Sequence, residues 1–148
     1  MRRFPFPPAI PVAALLVSWG LDRLVPISVP WPEWSRPFGW MLFTLPWIFG
    51  IAAVMTFKRH RTVVNPRGKV TTLVRGGPYR YSRNPMYVTL VASYLGAALA
   101  FQLPWALILF LPVVLVLQFG VIVPEEHYLL GTFPEEYLAY ARRVRRWL

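Results

Sequence analysis

Arg83 stands at the edge of a long uncharged run, and the next charged residue after it is Glu125. Arg75, Arg80 and Arg83 therefore precede that run, and Glu125, Glu126 and His127 follow it. An arginine can grip a carboxylate with two parallel hydrogen bonds, and a glutamate pair can accept from an amine or from ribose hydroxyls. Brought face to face, such groups suit a zwitterionic ligand. Tyr79, Tyr81, Tyr87, Tyr128, Tyr137 and Tyr140 crowd the same ends of the apolar runs, where they could stack on an adenine or box a cationic methyl donor. The same charges read as well as snorkelling flanks in interfacial ion pairs, and the tyrosines as an interfacial aromatic belt. Residue type alone leaves both readings open.

Other chemistries fit poorly. The chain has no cysteine, which excludes disulfides, thiolate nucleophiles and thiolate metal sites. His127 in "PEEHYLLG" and His60 in "KRHRT" lack a second ligand at helical spacing, so no metal site is expected. Gly76-Gly77 is a turn signal without the strand and helix of a dinucleotide fingerprint. No serine, histidine and carboxylate form a recognisable triad, and no catalytic acid or base is assigned.

Face-to-face placement depends on the elements between the two clusters. Residues 86–123 carry no charge, yet as one helix they would reach about 57 Å, roughly twice a bilayer core. Two spans must share them, 86–101 and 105–123, with Gln102-Leu103-Pro104 as the hairpin tip and Pro124 closing the second. That hairpin makes Arg83 a spatial neighbour of Glu125 and Glu126. Upstream, residues 9–27 read as a retained first span, with Asp22 and Arg23 at the far interface or paired with each other. Its start imitates a signal peptide, but those two charges stand where a cleavage site should lie. Pro26, Pro30, Trp31, Pro32 and Trp34 form a short connection to a second span, 38–57, in which Pro46 bends the helix and frees a carbonyl.

Residues 58–85 form a loop that carries eight of the sixteen basic residues and no acid, with turn signals at Asn65-Pro66, Arg67-Gly68 and Gly76-Gly77-Pro78. The tail, 133–148, reads as an amphipathic interfacial helix. Thr132 is its N-cap, Pro134 lies in the first turn and Glu135 completes a capping box.

Composition agrees with an integral membrane protein of one domain, 1–148. Hydrophobic residues make up 56% of the 148, with a mean hydropathy of +0.45, beyond what a soluble fold this small can hide. The net charge of +10 gathers on one side if there are four spans, which puts both termini in the cytoplasm. The basic residues flank apolar spans, which points to membrane lipids as partners and away from nucleic acid. Fourteen arginines against two lysines hint at a high-GC bacterial source and its plasma membrane. Nothing in the sequence sets an oligomeric state.

The stretch "LVRGGPYRYSRNPMYVTL", followed across the hairpin by "PEEHYLLGTFPEEYLAYARRVRRW", resembles the isoprenylcysteine carboxyl methyltransferase and phospholipid methyltransferase superfamily. The matching pieces are Gly77-Pro78-Tyr79, the box Arg83-Asn84-Pro85-Met86-Tyr87, Glu125-Glu126-His127-Tyr128-Leu129, and Tyr137 with Tyr140; the resemblance covers about 57–147. It implies an all-α membrane fold without a Rossmann domain. It further implies S-adenosylmethionine as cofactor, in a pocket lined by Tyr79, Arg83, Asn84, Pro85, Tyr87, Glu125, Glu126, Tyr137 and Tyr140. Of the two glutamates, Glu126 is the expected ligand contact, with Glu125 capping the basic loop. The implied reaction is methyl transfer to a lipophilic acceptor, lipidic or small and hydrophobic, at the cytoplasmic face. Departures are Asn84 where the eukaryotic carboxyl methyltransferases have histidine, Thr89 where glycine is common, Pro134 where Phe-Gly is usual, and Arg145 where proline is usual. An NADPH-dependent sterol or enone reductase and a non-catalytic membrane scaffold are the competing readings.

Overall fold

The computed structural model describes residues 6–59 and 72–148, and among them every regular element is helical. His60, Val70 and the expected turns at Asn65-Pro66 and Arg67-Gly68 lie outside the described residues.

Helix α1 (Ala9–Leu24) stops short of the expected residue 27. Pro26 disfavours helical geometry at the residue before it, and Val25 leaves the helix with φ −136°. The Val25 carbonyl accepts the Trp105 indole N–H at 2.8 Å. The expected pairing of Asp22 with Arg23 does not form among the described residues; the Arg23 guanidinium lies 5.3 Å from the centre of the Trp19 ring.

Helices α2 (Ser35–Thr44) and α3 (Pro46–Arg59) make one 25-residue run, longer at both ends than the expected 38–57 and including Lys58 and Arg59. The run is interrupted at Leu45 because Pro46 has no N–H to donate. Helix α4 (Pro85–Ala100) serves the carbonyls around this break. Ser93 Oγ donates to the Phe43 carbonyl at 3.1 Å, and Thr89 Oγ1 lies 3.0 Å from the Pro46 carbonyl and 3.1 Å from that of Pro85. The helices run antiparallel at close range. A Cβ at Gly39 would collide with the Ala100 backbone, one at Gly96 with the Phe43 backbone, and one at Gly50 would come within 2.8 Å of Thr89 Oγ1.

After α4 the chain reverses through Gln102, whose φ is 53°, into α5 (Pro104–Ile108) and α6 (Phe110–Leu117). Tyr94 Oη closes this hairpin by donating to the Ala106 carbonyl at 2.9 Å. A π turn, Gln118–Ile122, then leads without a break into α7 (Val123–Thr132). Pro124 therefore does not close the last span as expected. It sits in the first turn of α7, where the wider turn just before it absorbs a residue that cannot donate.

The tail also differs from expectation. Thr132 ends α7, with Oγ1 donating to the Tyr128 carbonyl at 2.8 Å, and Phe133 caps α8 (Pro134–Ala141) without a side-chain bond, so there is no capping box. Helix α8 ends at Ala141, not 148. Residues 142–148 instead turn back over the start of α4, where the Arg145 carbonyl accepts the Arg83 N–H at 2.9 Å.

Two apolar clusters result. Tyr94, Ala98, Leu103, Ala106, Val113, Leu117 and Val121 fill the hairpin, while Ala53, Leu73, Val74, Tyr79, Tyr137 and Tyr140 form a second core beneath α8. Ser35–Arg59 and Phe110–Thr132 are long and apolar enough to cross a membrane.

Candidate functional site

The charged cluster is assembled where the start of α4 meets α7, α8 and the tail. Gly77 adopts φ +58°, a conformation that favours glycine, and opens a 3₁₀ turn, Gly77–Arg80, that buries Tyr79 against the Phe57 ring at 5.1 Å between centroids. Pro85 then starts α4 in the position where proline costs no hydrogen bond. Arg83, just ahead of it, points across to α7.

Arg83 Nη1 lies 3.3 Å from Glu126 Oε1 and donates to Tyr137 Oη at 3.2 Å; the Arg83 and Glu126 side chains are only 15% and 12% exposed. Glu126 takes a second cation, since Arg146 Nη2 approaches Oε2 at 2.7 Å and its Nε lies 3.1 Å from both oxygens. That bond holds the Arg146 guanidinium pKa above its ordinary value. Glu125 is turned elsewhere: both its oxygens lie 2.9 Å from Tyr87 Oη, and it accepts from that hydroxyl. Adjacent helical positions diverge by about 100°, which sends the two carboxylates to different partners.

The tyrosines lock the second core to this cluster. Tyr140 Oη donates to the Tyr79 carbonyl at 2.7 Å, and the Tyr137 and Tyr140 rings meet edge to face at 6.3 Å. Burial pushes the Tyr79, Tyr137 and Tyr140 hydroxyls above the usual tyrosine pKa. The neighbouring Tyr140 and Glu125 add to the effect at Tyr79, Glu126 at Tyr137, and Tyr137 at Tyr140. All three are therefore neutral hydrogen-bonding groups near neutral pH.

Asn84 faces the tail: its Nδ2 donates to the Arg146 carbonyl at 3.0 Å, and its N–H donates to Ser82 Oγ at 3.0 Å. It therefore clasps the tail over the site. Two other candidates stay outside. Tyr81 is 71% exposed, and Arg75 forms a surface pair with Glu136 at 3.2 Å. Sequence reasoning missed three contributors: Arg146, Trp147, whose Nε1 donates to Gln118 Oε1 at 3.0 Å, and Gln118 itself. The signal for the tail was the basic run "ARRVRRWL", which a helical reading spread around a surface helix.

Two buried polar atoms here have no hydrogen-bond partner among the described residues, Tyr79 Oη and Arg83 Nε. Both can donate, and a buried donor without a partner is costly unless a ligand supplies one. With Glu125 and Glu126 as acceptors, these donors fit a ligand carrying both a carboxylate and amino or hydroxyl groups. No group of three or more His, Cys, Asp or Glu able to hold a metal occurs among the described residues.

Residues 34–136 match the model of the phospholipid methyltransferase family. No curated protein and no solved structure matches the chain.

Proposed function

This chain belongs to the phospholipid methyltransferase family, a family of methyltransferases, and from that premise we propose that it moves a methyl group from S-adenosylmethionine to a lipidic or small hydrophobic acceptor at the cytoplasmic face of a membrane. The observation that carries the reading is the near-buried Arg83–Glu126 pair, with an unpartnered Arg83 Nε and Tyr79 Oη beside it.

Arg83 Nε and Tyr79 Oη would donate to the cofactor's carboxylate, while Glu126 and Glu125 accept from its amino group or ribose hydroxyls. When bound, S-adenosylmethionine would supply a methyl carbon already activated by positive sulfur, so in-line placement and a dry site matter more than acid–base machinery. The protein side provides that setting. Tyr79, Tyr137 and Tyr140 are buried around the cluster, and the tail clasped by Asn84 covers it. Pro85 fixes where α4 begins and so where Arg83 stands relative to Tyr87.

The reductase and scaffold readings have no observation in their favour. Two long apolar helices and the family suit a membrane protein, and the proposed setting is a bacterial plasma membrane with both termini in the cytoplasm. Calorimetric titration of the purified, folded protein with S-adenosylhomocysteine tests the proposal. Saturable binding that Arg83→Ala weakens roughly thirtyfold or more is expected; no binding by the folded wild type overturns it.

A further inference from the structure

Glu126 is crowded with cations. Arg83 Nη1 stands 3.3 Å from Oε1, Arg146 Nη2 stands 2.7 Å from Oε2, and Arg146 Nε lies 3.1 Å from both oxygens. A carboxylate offers about four acceptor sites, so these contacts use nearly all of them. A ligand ammonium brings N–H donors of its own and a third positive charge, for which this carboxylate has no room while both arginines stay. One of them has to give way.

The two arginines are held very differently. Arg83 is 15% exposed, donates to Tyr137 Oη as well, and stands just ahead of Pro85 at the start of α4. Arg146 is 36% exposed, and among the described residues its guanidinium binds nothing but Glu126. It lies beyond α8, on a tail whose hold does not depend on its side chain. Its carbonyl accepts from Asn84 Nδ2 at 3.0 Å, the Arg145 carbonyl accepts the Arg83 N–H at 2.9 Å, and Trp147 Nε1 donates to Gln118 Oε1 at 3.0 Å. The guanidinium can therefore swing out to water on its flexible stem while the backbone beneath it stays clasped.

We propose that Arg146 is a placeholder, a cation of the chain itself that occupies Glu126 while the site is empty and yields it to the ammonium group of the incoming ligand. The inference rests on the methyl-transfer reading, in which that ligand is S-adenosylmethionine, and adds a residue that sets its affinity. In the empty site Arg146 keeps a carboxylate only 12% exposed paired and hydrogen-bonded, which an ion so short of water requires. On binding, one ammonium replaces one guanidinium, so the charge around Glu126 stays balanced. The exchange lowers apparent affinity in proportion to the fraction of time that Arg146 spends away from Glu126; a fraction of about one tenth costs about tenfold.

Two ligands separate this exchange from simple obstruction. S-adenosylhomocysteine keeps the ammonium, whereas 5′-methylthioadenosine shares the adenine, ribose and sulfur but lacks the amino-acid end, so it leaves Arg146 where it is. Both are titrated calorimetrically into the full-length wild type, Arg146→Gln and Arg146→Lys. Arg146→Gln should bind S-adenosylhomocysteine about tenfold more tightly than wild type and 5′-methylthioadenosine within about twofold of it, while the ligand-free melting temperature falls. Arg146→Lys keeps a charge on Glu126 but gives up the two-pronged grip, so it should fold even where the glutamine variant does not, and tighten S-adenosylhomocysteine about threefold. Weaker binding in both variants would overturn the proposal and make Arg146 a ligand contact. Unchanged binding would place the ammonium elsewhere, and equal tightening of both ligands would make Arg146 a general obstruction; either result rejects the exchange and leaves the methyl-transfer reading standing. If folded wild type binds no S-adenosylhomocysteine, that reading falls and this inference with it.

Discussion

Arg83 and Glu126 are matched charges held largely out of water, and removing Arg83 leaves Glu126 with Arg146 alone, so the loss falls below the about 3–5 kcal/mol of breaking an isolated, fully buried pair. Arg83→Ala should therefore lower thermal stability as well as weaken S-adenosylhomocysteine by about 2 kcal/mol or more, roughly thirtyfold, in calorimetry. Arg83→Lys should recover stability better than binding, because a point charge keeps the attraction to Glu126 but loses the Nε donor. Equal recovery of both would show that Nε has no ligand role. Tyr87→Phe removes the hydroxyl that serves Glu125, worth about 1.5–3 kcal/mol for a bond to a charged group, and its melting temperature should fall accordingly. The buried tyrosines give a pH signature. Their folded pKa values lie above the ordinary 10.0, so the folded state holds protons that the unfolded state releases once pH exceeds about 10. Stability is thus fully present below pH 10 and is lost as pH rises beyond it. Phenolate absorbance from Tyr79 and Tyr140 should appear only with unfolding, and Tyr79→Phe should move the alkaline midpoint upward.

Helix pairing depends on positions that look unremarkable in the sequence. Gly39 and Gly96 let α2 and α4 meet backbone to backbone, and Gly96→Val forces them apart at a cost of about 1–3 kcal/mol or more. The expected result is a lower melting temperature with helix content retained below it; an unchanged transition would mean that the close approach does not matter. The hairpin between α4 and α5 was legible because an uncharged stretch twice the bilayer thickness has to fold back, and Gln102-Leu103-Pro104 set a glutamine beside a proline near its middle. From it followed the meeting of Arg83 with the glutamates. The tail was not legible, because a stripe at helical spacing carries no mark of where the helix stops. What stops it is tertiary: carbonyls of Arg145 and Arg146 are taken by Arg83 and Asn84. Pro124 misled for a similar reason, since a proline reads as an end unless the turn before it is known to widen.

At the scale of the whole molecule, the number of crossings follows from which helices lie alongside the two long ones. Among the described residues only Ser35–Arg59 and Phe110–Thr132 are long and apolar enough alone, and α4 at sixteen residues reaches about 24 Å. Yet α4 pairs antiparallel with the first along its length, Gly39 against Ala100 at one end and Gly50 against Thr89 at the other. It also pairs with the second, Tyr94 to Ala106 and Tyr87 to Glu125. If its neighbours cross, α4 crosses between them in the opposite direction. Helix α1 ends beside Trp105, at the hairpin-tip side, so it runs the same way as α4, and the expectation to be tested is that it makes a fourth crossing. The absence of cysteine makes this directly measurable, because every introduced thiol reports alone. Exposed Arg80→Cys and Arg143→Cys should react with a membrane-impermeant maleimide only from the cytoplasmic side, and exposed Val29→Cys and Phe101→Cys only from the other. Labelling of Arg80→Cys and Phe101→Cys from the same side would reject a spanning α4 and leave two crossings in place of four.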